Sequence, residues 1–188
     1  MDESGLHWVF GYGSLIWRPG FDFVRRERAL LRGAHRSLSI YSYHYRGTAE
    51  VPGLVFGLAR GGSCSGLAFA VEDGIWPATL AYLRERELVT SVYRETVRPV
   101  RLADGTVVPA LAYLLDERHE QYAGRLTVAE QARLVRRGVG VSGANVDYVL
   151  NTARHLGELG IRDRALERLV AELTAPDPDA EAVLAKSA

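Results

Sequence analysis

Residues 8–21 read WVFGYGSLIWRPGF, an apolar run that two glycines and a serine interrupt before it continues. Apolar, β-branched and aromatic residues in succession predict a buried strand, and Gly11 and Gly13 at its end let a ligand approach the main chain closely. Such a loop presents several backbone N–H groups, and Ser14 adds a hydroxyl, so the pattern suits an anion such as a carboxylate. A tight strand-to-loop corner without a ligand fits equally well. A dinucleotide loop fits poorly, because Ile16 stands where its third glycine is required.

Length, charge and cysteine content restrict the class of protein. The 188 residues suit one globular domain, which we place at residues 1–175, with a short tail at 176–188 that begins at a proline. Lys plus Arg and Asp plus Glu both number 23, so no global field recruits nucleic acid or an anionic membrane. Cys64 is the single cysteine, which excludes an intrachain disulfide and a cysteine-based zinc site.

Further features of the sequence bear on cofactors and location. The histidines are scattered without the spacing of metal ligands, so we expect no metal site. Residues 1–4 lack a hydrophobic signal core, and no apolar run approaches the length of a membrane span. We therefore expect a cytoplasmic protein with no membrane, nucleic-acid or obligate protein partner.

Alternation of apolar and polar residues predicts several strands joined as hairpins. After the opening strand, the predicted strands lie at residues 35–45, 54–59, 65–71, 93–102 and 106–115. Residues 21–32 are predicted to be a charged connector, residues 61–63 a chain reversal, and residues 104–105 a two-residue hairpin turn. Gly57 and Gly66 inside strands suggest the bulges or bends that a small closed barrel needs.

Helical periodicity dominates the last third of the chain and one earlier segment. The predicted helices lie at about residues 72–89, from a capping box at Thr127 to about 138–140, and at 146–159 and 162–173. Strands in hairpins, one interrupting helix and a helical carboxyl-terminal third predict an α+β protein. We expect a small mixed or antiparallel β-barrel packed by helices.

The interrupting helix aims one carboxylate at the interior. At roughly 100° per residue, Trp76, Leu80 and Leu83 share a narrow arc of the helix. Glu87 lies in that same arc, whereas Glu85 lies on the opposite side and should be solvated. Desolvation raises the pKa of an interior carboxylate, which makes Glu87 a candidate general base. A structural ion pair with an arginine, or a helix that ends before this residue, would explain the pattern without catalysis.

Five motifs, in order along the chain, carry a resemblance to a known family. They are VFGYGSL at residues 9–15, HYRGT at 44–48, REL at 86–88, YAG at 122–124 and SGANVDY at 142–148. Over roughly residues 7–161 the chain resembles the ChaC-like, glutathione-specific γ-glutamylcyclotransferases. Val141 departs from the expected residue before Ser-Gly, and the chain after about Arg164 lies outside the resemblance.

The resemblance implies a fold, a reaction and a set of site residues. The fold is the γ-glutamylcyclotransferase-like β-barrel with surrounding helices, and the reaction cleaves reduced glutathione into 5-oxoproline and cysteinylglycine without a cofactor. Glu87 matches the family's catalytic acid/base, and the segment from Val9 to Ser14 matches the one that holds the γ-glutamyl moiety. The expected substrate-binding residues are Val9, Phe10, Gly11, Tyr12, Gly13, Ser14, Leu15, Arg46 and Tyr122. Another γ-glutamyl amine or amino acid as substrate, or a non-catalytic anion-binding module, remain the alternatives.

Overall fold

The computed structural model describes residues 5–176, in which five strands close a barrel. The strands are β1 (Leu6–Gly11), β2 (Arg25–Ser42), β3 (Gly53–Glu72), β4 (Tyr93–Leu102) and β5 (Val107–Leu115), in the spatial order β1-β3-β2-β4-β5. Most pairs are antiparallel, and β1 pairs with β5 in parallel to close the barrel. The prediction of a small mixed barrel is confirmed. The predicted tail lies, apart from Pro176, outside the described residues.

Four helices and several short elements surround the barrel. The helices are α1 (Trp76–Glu87), α2 (Val128–Arg137), α3 (Asn145–Glu158) and α4 (Arg164–Thr174). A two-residue pair, β6 (Val139–Gly140) and β7 (Gly143–Ala144), joins α2 to α3, and 3₁₀ turns occupy Ser14–Ile16 and Asp73–Ile75. The predicted capping box is present, since Thr127 accepts from the Glu130 N–H and Glu130 accepts from the Thr127 N–H. None of these described helices is long and apolar enough to cross a membrane.

The longest hairpin differs from the sequence prediction at its middle. The predicted reversal at residues 61–63 is wrong, because β3 runs on through it and stays paired with β2. Gly61 and Gly62 adopt φ values of +92° and +68°, and the register slips beside Gly33, so the glycines form a bulge. The predicted connector at 21–32 is also wrong from Arg25 onward, where four charged residues in succession begin a strand and leave little apolar signal.

The bend in β3 allows its two halves to pair with different neighbours. Residues 67–72 pair antiparallel with β1, whereas Leu58 pairs in parallel with Leu114 of β5. Gly66 is needed for close contact, since a Cβ there would lie 2.3 Å from the Gly11 carbonyl oxygen. The barrel core is filled by fully buried side chains that include Phe10, Leu31, Leu58, Phe69 and Tyr113.

The antiparallel β4–β5 hairpin brings the start of β4 and the end of β5 together at the end of the barrel where the site lies, opposite its own turn. Its turn contains Gly105 with φ +93°, but the strands stop at Leu102 and resume at Val107, so the loop has four residues and not two. Because β1 and β5 are parallel and β4 is antiparallel to β5, the ends of β1 and β5 meet the start of β4. Helix α1 precedes β4, so its carboxyl end reaches this same end of the barrel.

Candidate active site

A cleft of about 830 Å³ opens at this end of the barrel. Its walls come from the loop after β1, the end of β2, the start of β3, the carboxyl end of α1, the start of β4 and the loop after β5. Segments far apart in sequence therefore share one concave surface of the size that small-molecule sites have. Tyrosine is the most frequent residue type in its lining.

Glu87 is the last residue of α1 and faces this cleft. Its side chain is 16% exposed, whereas Glu85, which also borders the cleft, is exposed, so the predicted difference in solvation between the two carboxylates is confirmed. Burial raises the pKa of Glu87, and the neighbouring guanidinium of Arg86, whose Nε lies 3.2 Å from Glu87 Oε1, acts in the opposite direction. The site thus contains a desolvated carboxyl group at the edge of a solvent-accessible cleft.

Arg86 joins the helix end to the loop after β1. Its guanidinium donates to Ser14 Oγ at 2.8 Å, to the Arg18 carbonyl oxygen at 2.7 Å and to the Tyr82 hydroxyl at 2.9 Å. An arginine with several acceptors in fixed directions holds them in one arrangement. Glu87 and the loop are therefore positioned relative to each other by Arg86, a residue that the sequence analysis did not assign to the site.

Four tyrosines surround Glu87: Tyr12, Tyr93, Tyr113 and Tyr148. Burial raises the pKa of each, and the negative charge of Glu87 adds to the rise. All four are therefore protonated hydrogen-bond donors at neutral pH. Of the four, the sequence analysis assigned only Tyr12 to substrate binding, and Tyr148 is the last residue of the SGANVDY motif. Tyr93 and Tyr113 lie on strands with no motif around them, and only the parallel closure of the barrel brings them to the same place.

The tyrosine hydroxyls differ in whether their hydrogens are already used. Tyr12 donates to the Tyr113 carbonyl oxygen at 3.1 Å, and Tyr93 donates to the Phe56 carbonyl oxygen at 2.7 Å. The Tyr148 hydroxyl instead accepts from the Phe56 N–H at 3.2 Å, and no acceptor for its own hydrogen occurs within residues 5–176. Burial, the largest effect, raises the pKa of Tyr148 to about 12. Its O–H therefore remains available to a ligand.

The segment 9–15 reaches the cleft only through its second half, which follows β1. Residues 12–15 line the cleft, and Ser14–Ile16 form a 3₁₀ turn without a capping side chain. Val9 and Phe10 are fully buried in β1, and Gly11 packs against Phe69 and Leu15. These three residues support the loop from within the barrel and do not line the cleft.

Arg46 lines the cleft and is held by its surroundings. It donates to the carbonyl oxygens of Ser142 and Ala144, and its guanidinium lies 5.2 Å from the ring centre of Tyr148. A Cβ at Gly140 would lie 2.6 Å from the Arg46 backbone nitrogen, so a glycine there permits the close packing of this loop. Burial lowers the pKa of Arg46, with opposing effects from nearby acidic groups.

Tyr122 is not brought to the cleft wall. It forms a bridge with Ile40 and packs in the small apolar cluster around it, while the adjacent residue, Gln121, lines the cleft. Gln121 was missed by sequence analysis, because a glutamine in a polar loop carries no recognisable pattern. Within residues 5–176, no group of three or more His, Cys, Asp and Glu side chains is arranged to hold a metal ion.

Comparison with known proteins assigns the chain to a family. Residues 7–175 match the family described as ChaC-like protein. The chain is 32% identical over 168 residues to an Escherichia coli K12 protein named glutathione-specific gamma-glutamylcyclotransferase, covering 89% of this chain and 73% of that protein. It is 31% identical over 150 residues to the human glutathione-specific gamma-glutamylcyclotransferase 1, covering 78% of this chain and 68% of the human protein.

A solved structure shares the fold. A crystal structure of a yeast γ-glutamylcyclotransferase specific to glutathione superposes with a TM-score of 0.83 at 21% identity, covering 90% of this chain and 96% of that one. The predicted γ-glutamylcyclotransferase-like fold is thereby confirmed. The family match extends over most of the sequence, and the chain belongs to the ChaC-like family, whose relatives named above are glutathione-specific γ-glutamylcyclotransferases.

Proposed function

We propose that this protein cleaves the γ-glutamyl bond of reduced glutathione by intramolecular cyclisation, with Glu87 as general acid/base. The observation that carries the proposal is the desolvated Glu87 carboxyl group in a tyrosine-lined cleft next to the loop after β1. Similarity to relatives that are named for this reaction supports the choice of substrate. The products are 5-oxoproline and cysteinylglycine.

Proton transfer in the reaction requires one group that can both accept and donate. The neutral α-amino group of the glutamyl moiety attacks the γ-carbonyl carbon and gives one proton to Glu87, which closes a five-membered ring whose nitrogen keeps a single hydrogen. The bond between this carbon and the cysteinyl nitrogen then breaks, and Glu87 returns the proton to that nitrogen as the amine leaves. A carboxyl group whose pKa is raised by burial is suited to both steps near neutral pH.

The remaining groups of the cleft bind and polarise the substrate. As the carbonyl carbon becomes tetrahedral, its oxygen gains negative charge that hydrogen-bond donors stabilise. The Tyr148 hydroxyl is such a donor, because its hydrogen has no acceptor within residues 5–176. Two groups suit the α-carboxylate of the substrate. They are the N–H groups at the start of the Ser14–Ile16 turn, which no side chain caps, and the guanidinium of Arg46. Because both reacting atoms belong to one molecule, holding the glutamyl chain bent supplies much of the acceleration.

The test is the stoichiometry of the products. Purified protein is incubated with reduced glutathione, and 5-oxoproline, cysteinylglycine and free glutamate are measured by mass spectrometry. We expect equimolar 5-oxoproline and cysteinylglycine without glutamate. Free glutamate in place of 5-oxoproline would mean hydrolysis and would contradict the mechanism.

A substrate panel separates the proposal from its alternatives. γ-Glutamyl amino acids and γ-glutamyl amines are tested beside glutathione under the same conditions. If one of these is turned over and glutathione is not, the protein catalyses the same cyclisation on a different substrate. Binding of a γ-glutamyl compound with no turnover of any would favour a non-catalytic module.

A further inference from the structure

Gln121 carries a buried acceptor that no described group satisfies. The residue is 7% exposed, lies in the loop after β5 and lines the cleft. Its Nε2 donates to the Tyr41 carbonyl oxygen at 3.0 Å, whereas its Oε1 is buried without a partner within residues 5–176. Leaving a buried polar atom without a hydrogen bond is costly, so such an atom among the residues of a binding cleft points to a ligand group.

The direction of this acceptor is fixed by its neighbours. Exchanging the two ends of the amide would place Oε1 against the Tyr41 carbonyl oxygen, two acceptors facing each other, so Nε2 must occupy that position. The backbone is held as well, since the Tyr41 N–H donates to the Gln121 carbonyl oxygen at 2.9 Å and the Gln121 N–H donates to His119 Nδ1 at 3.2 Å. The amide of Gln121 is therefore held in one orientation within the wall of the cleft.

The chemistry of the substrate limits which group Gln121 can contact. An amide oxygen only accepts, which excludes both carboxylates and all carbonyl groups of a γ-glutamyl peptide. The scissile nitrogen exchanges protons with Glu87 in the proposed mechanism. The glutamyl half is assigned to the loop after β1 and Arg46, which leaves the wall that contains Gln121 for the leaving half. A peptide N–H beyond the scissile bond is the remaining amide donor.

We propose that Gln121 Oε1 accepts the second amide N–H of the substrate. This contact selects tripeptides such as glutathione over γ-glutamyl amino acids such as γ-glutamylcysteine. This inference rests on the proposed function and assigns the leaving-half specificity of the same site. A site built to hydrogen-bond a substrate N–H discriminates strongly against an analogue without it, because the protein group is then left unpaired.

The experiment compares two substrates in three proteins. Glutathione contains the second amide and γ-glutamylcysteine lacks it. Wild type, Gln121→Met and Gln131→Met are assayed for 5-oxoproline release, and the ratio of kcat/KM for glutathione to that for γ-glutamylcysteine is determined. Gln131 is a matched control, because its Nε2 also donates to a β2 carbonyl, that of Leu38, at 3.0 Å, but from α2 and outside the cleft lining.

We expect the ratio to fall about tenfold in Gln121→Met and to stay at the wild-type value in Gln131→Met. A general loss of folding would lower activity on both substrates together and leave the ratio unchanged. The analogue γ-glutamyl-2-aminobutyrylglycine, which retains the amide and lacks the thiol, should show the same loss as glutathione. A ratio that Gln121→Met does not change, or a loss confined to the thiol-containing substrate, would overturn the inference. Absence of 5-oxoproline from wild type with every substrate would instead overturn the proposed function.

Discussion

Replacing Glu87 with glutamine should abolish turnover and keep the fold. Glutamine has the same shape but cannot accept and return a proton, so the change removes only the proposed chemistry. Arg86 would not be left without acceptors, since it also donates to Ser14, Tyr82 and the Arg18 and Pro19 carbonyls. The loop after β1 therefore keeps its attachment to α1 in the variant.

The two expected magnitudes differ widely. General acid–base catalysis contributes about 10²–10⁴-fold, so kcat should fall by at least that factor, or about 3–5 kcal/mol in activation free energy. Stability should change by less than about 1 kcal/mol, because one ion pair is lost while the desolvation of a charged carboxylate is relieved. Since the native pKa of Glu87 is raised, its ionisation costs stability as pH rises from the unfolded-state pKa through the native one. Above that range the glutamine variant should be more stable relative to wild type than it is at lower pH.

The assay measures 5-oxoproline release and thermal unfolding of the same samples. Glu85→Gln is the matched control, because Glu85 lies two residues earlier on α1 and is exposed. It should retain wild-type kcat. If Glu87→Gln is stably folded and turns over glutathione within about tenfold of wild type, Glu87 is not the acid/base and the proposed mechanism is wrong.

Three further changes test other parts of the site. Tyr148→Phe should lower kcat by about 10²–10³-fold if its free O–H stabilises the oxyanion, and an unchanged kcat in the folded variant would exclude that role. Because the buried Phe56 N–H also loses its acceptor, the free energy of unfolding should fall by about 1–3 kcal/mol. Arg86→Gln should move the acid limb of kcat/KM against pH to higher pH, because the cation that lowers the pKa of Glu87 is lost. Arg86→Lys, which keeps the charge, should move it less, and equal shifts would contradict this electrostatic account. Gly140→Ala should destabilise the protein by about 1–3 kcal/mol, since the new Cβ would lie 2.4 Å from the His44 carbonyl oxygen. Gly74→Ala, where a Cβ meets nothing within 4 Å, should change stability far less, and similar unfolding temperatures for the two variants would contradict the steric argument.

Local patterns were sufficient to predict the type of fold but not the path of its longest hairpin. Capping residues and helical periodicity placed the helices well, because these signals act within one or two turns. The pair Gly61–Gly62 was misread, since positive φ values serve a bulge as well as a reversal. The choice between them depends on whether β2 remains paired opposite, which is information from a distant segment.

The candidate site was predictable only where one element decides the outcome. The orientation of Glu87 follows from the phase of a single helix, so a count of residues was enough. Tyr93 and Tyr113 enter the site through the pairing of β4 with β5 and of β5 with β1. Gln121 enters through its bonds to Tyr41. No local signal encodes such pairings, and these residues were accordingly not predicted.

The loop after β1 owes its geometry to two arginines more than to its glycines. Arg36, buried beneath the loop, donates to the Tyr12 carbonyl oxygen and is fixed by Asp163 and the Ser65 carbonyl. Arg86 holds Ser14 from the opposite side. Groups positioned in this way need no reorganisation when charge develops on a substrate, which is the condition for effective electrostatic stabilisation. The GYGS motif therefore supplies a main chain that can be approached, while arginines from β2 and α1 supply its rigidity.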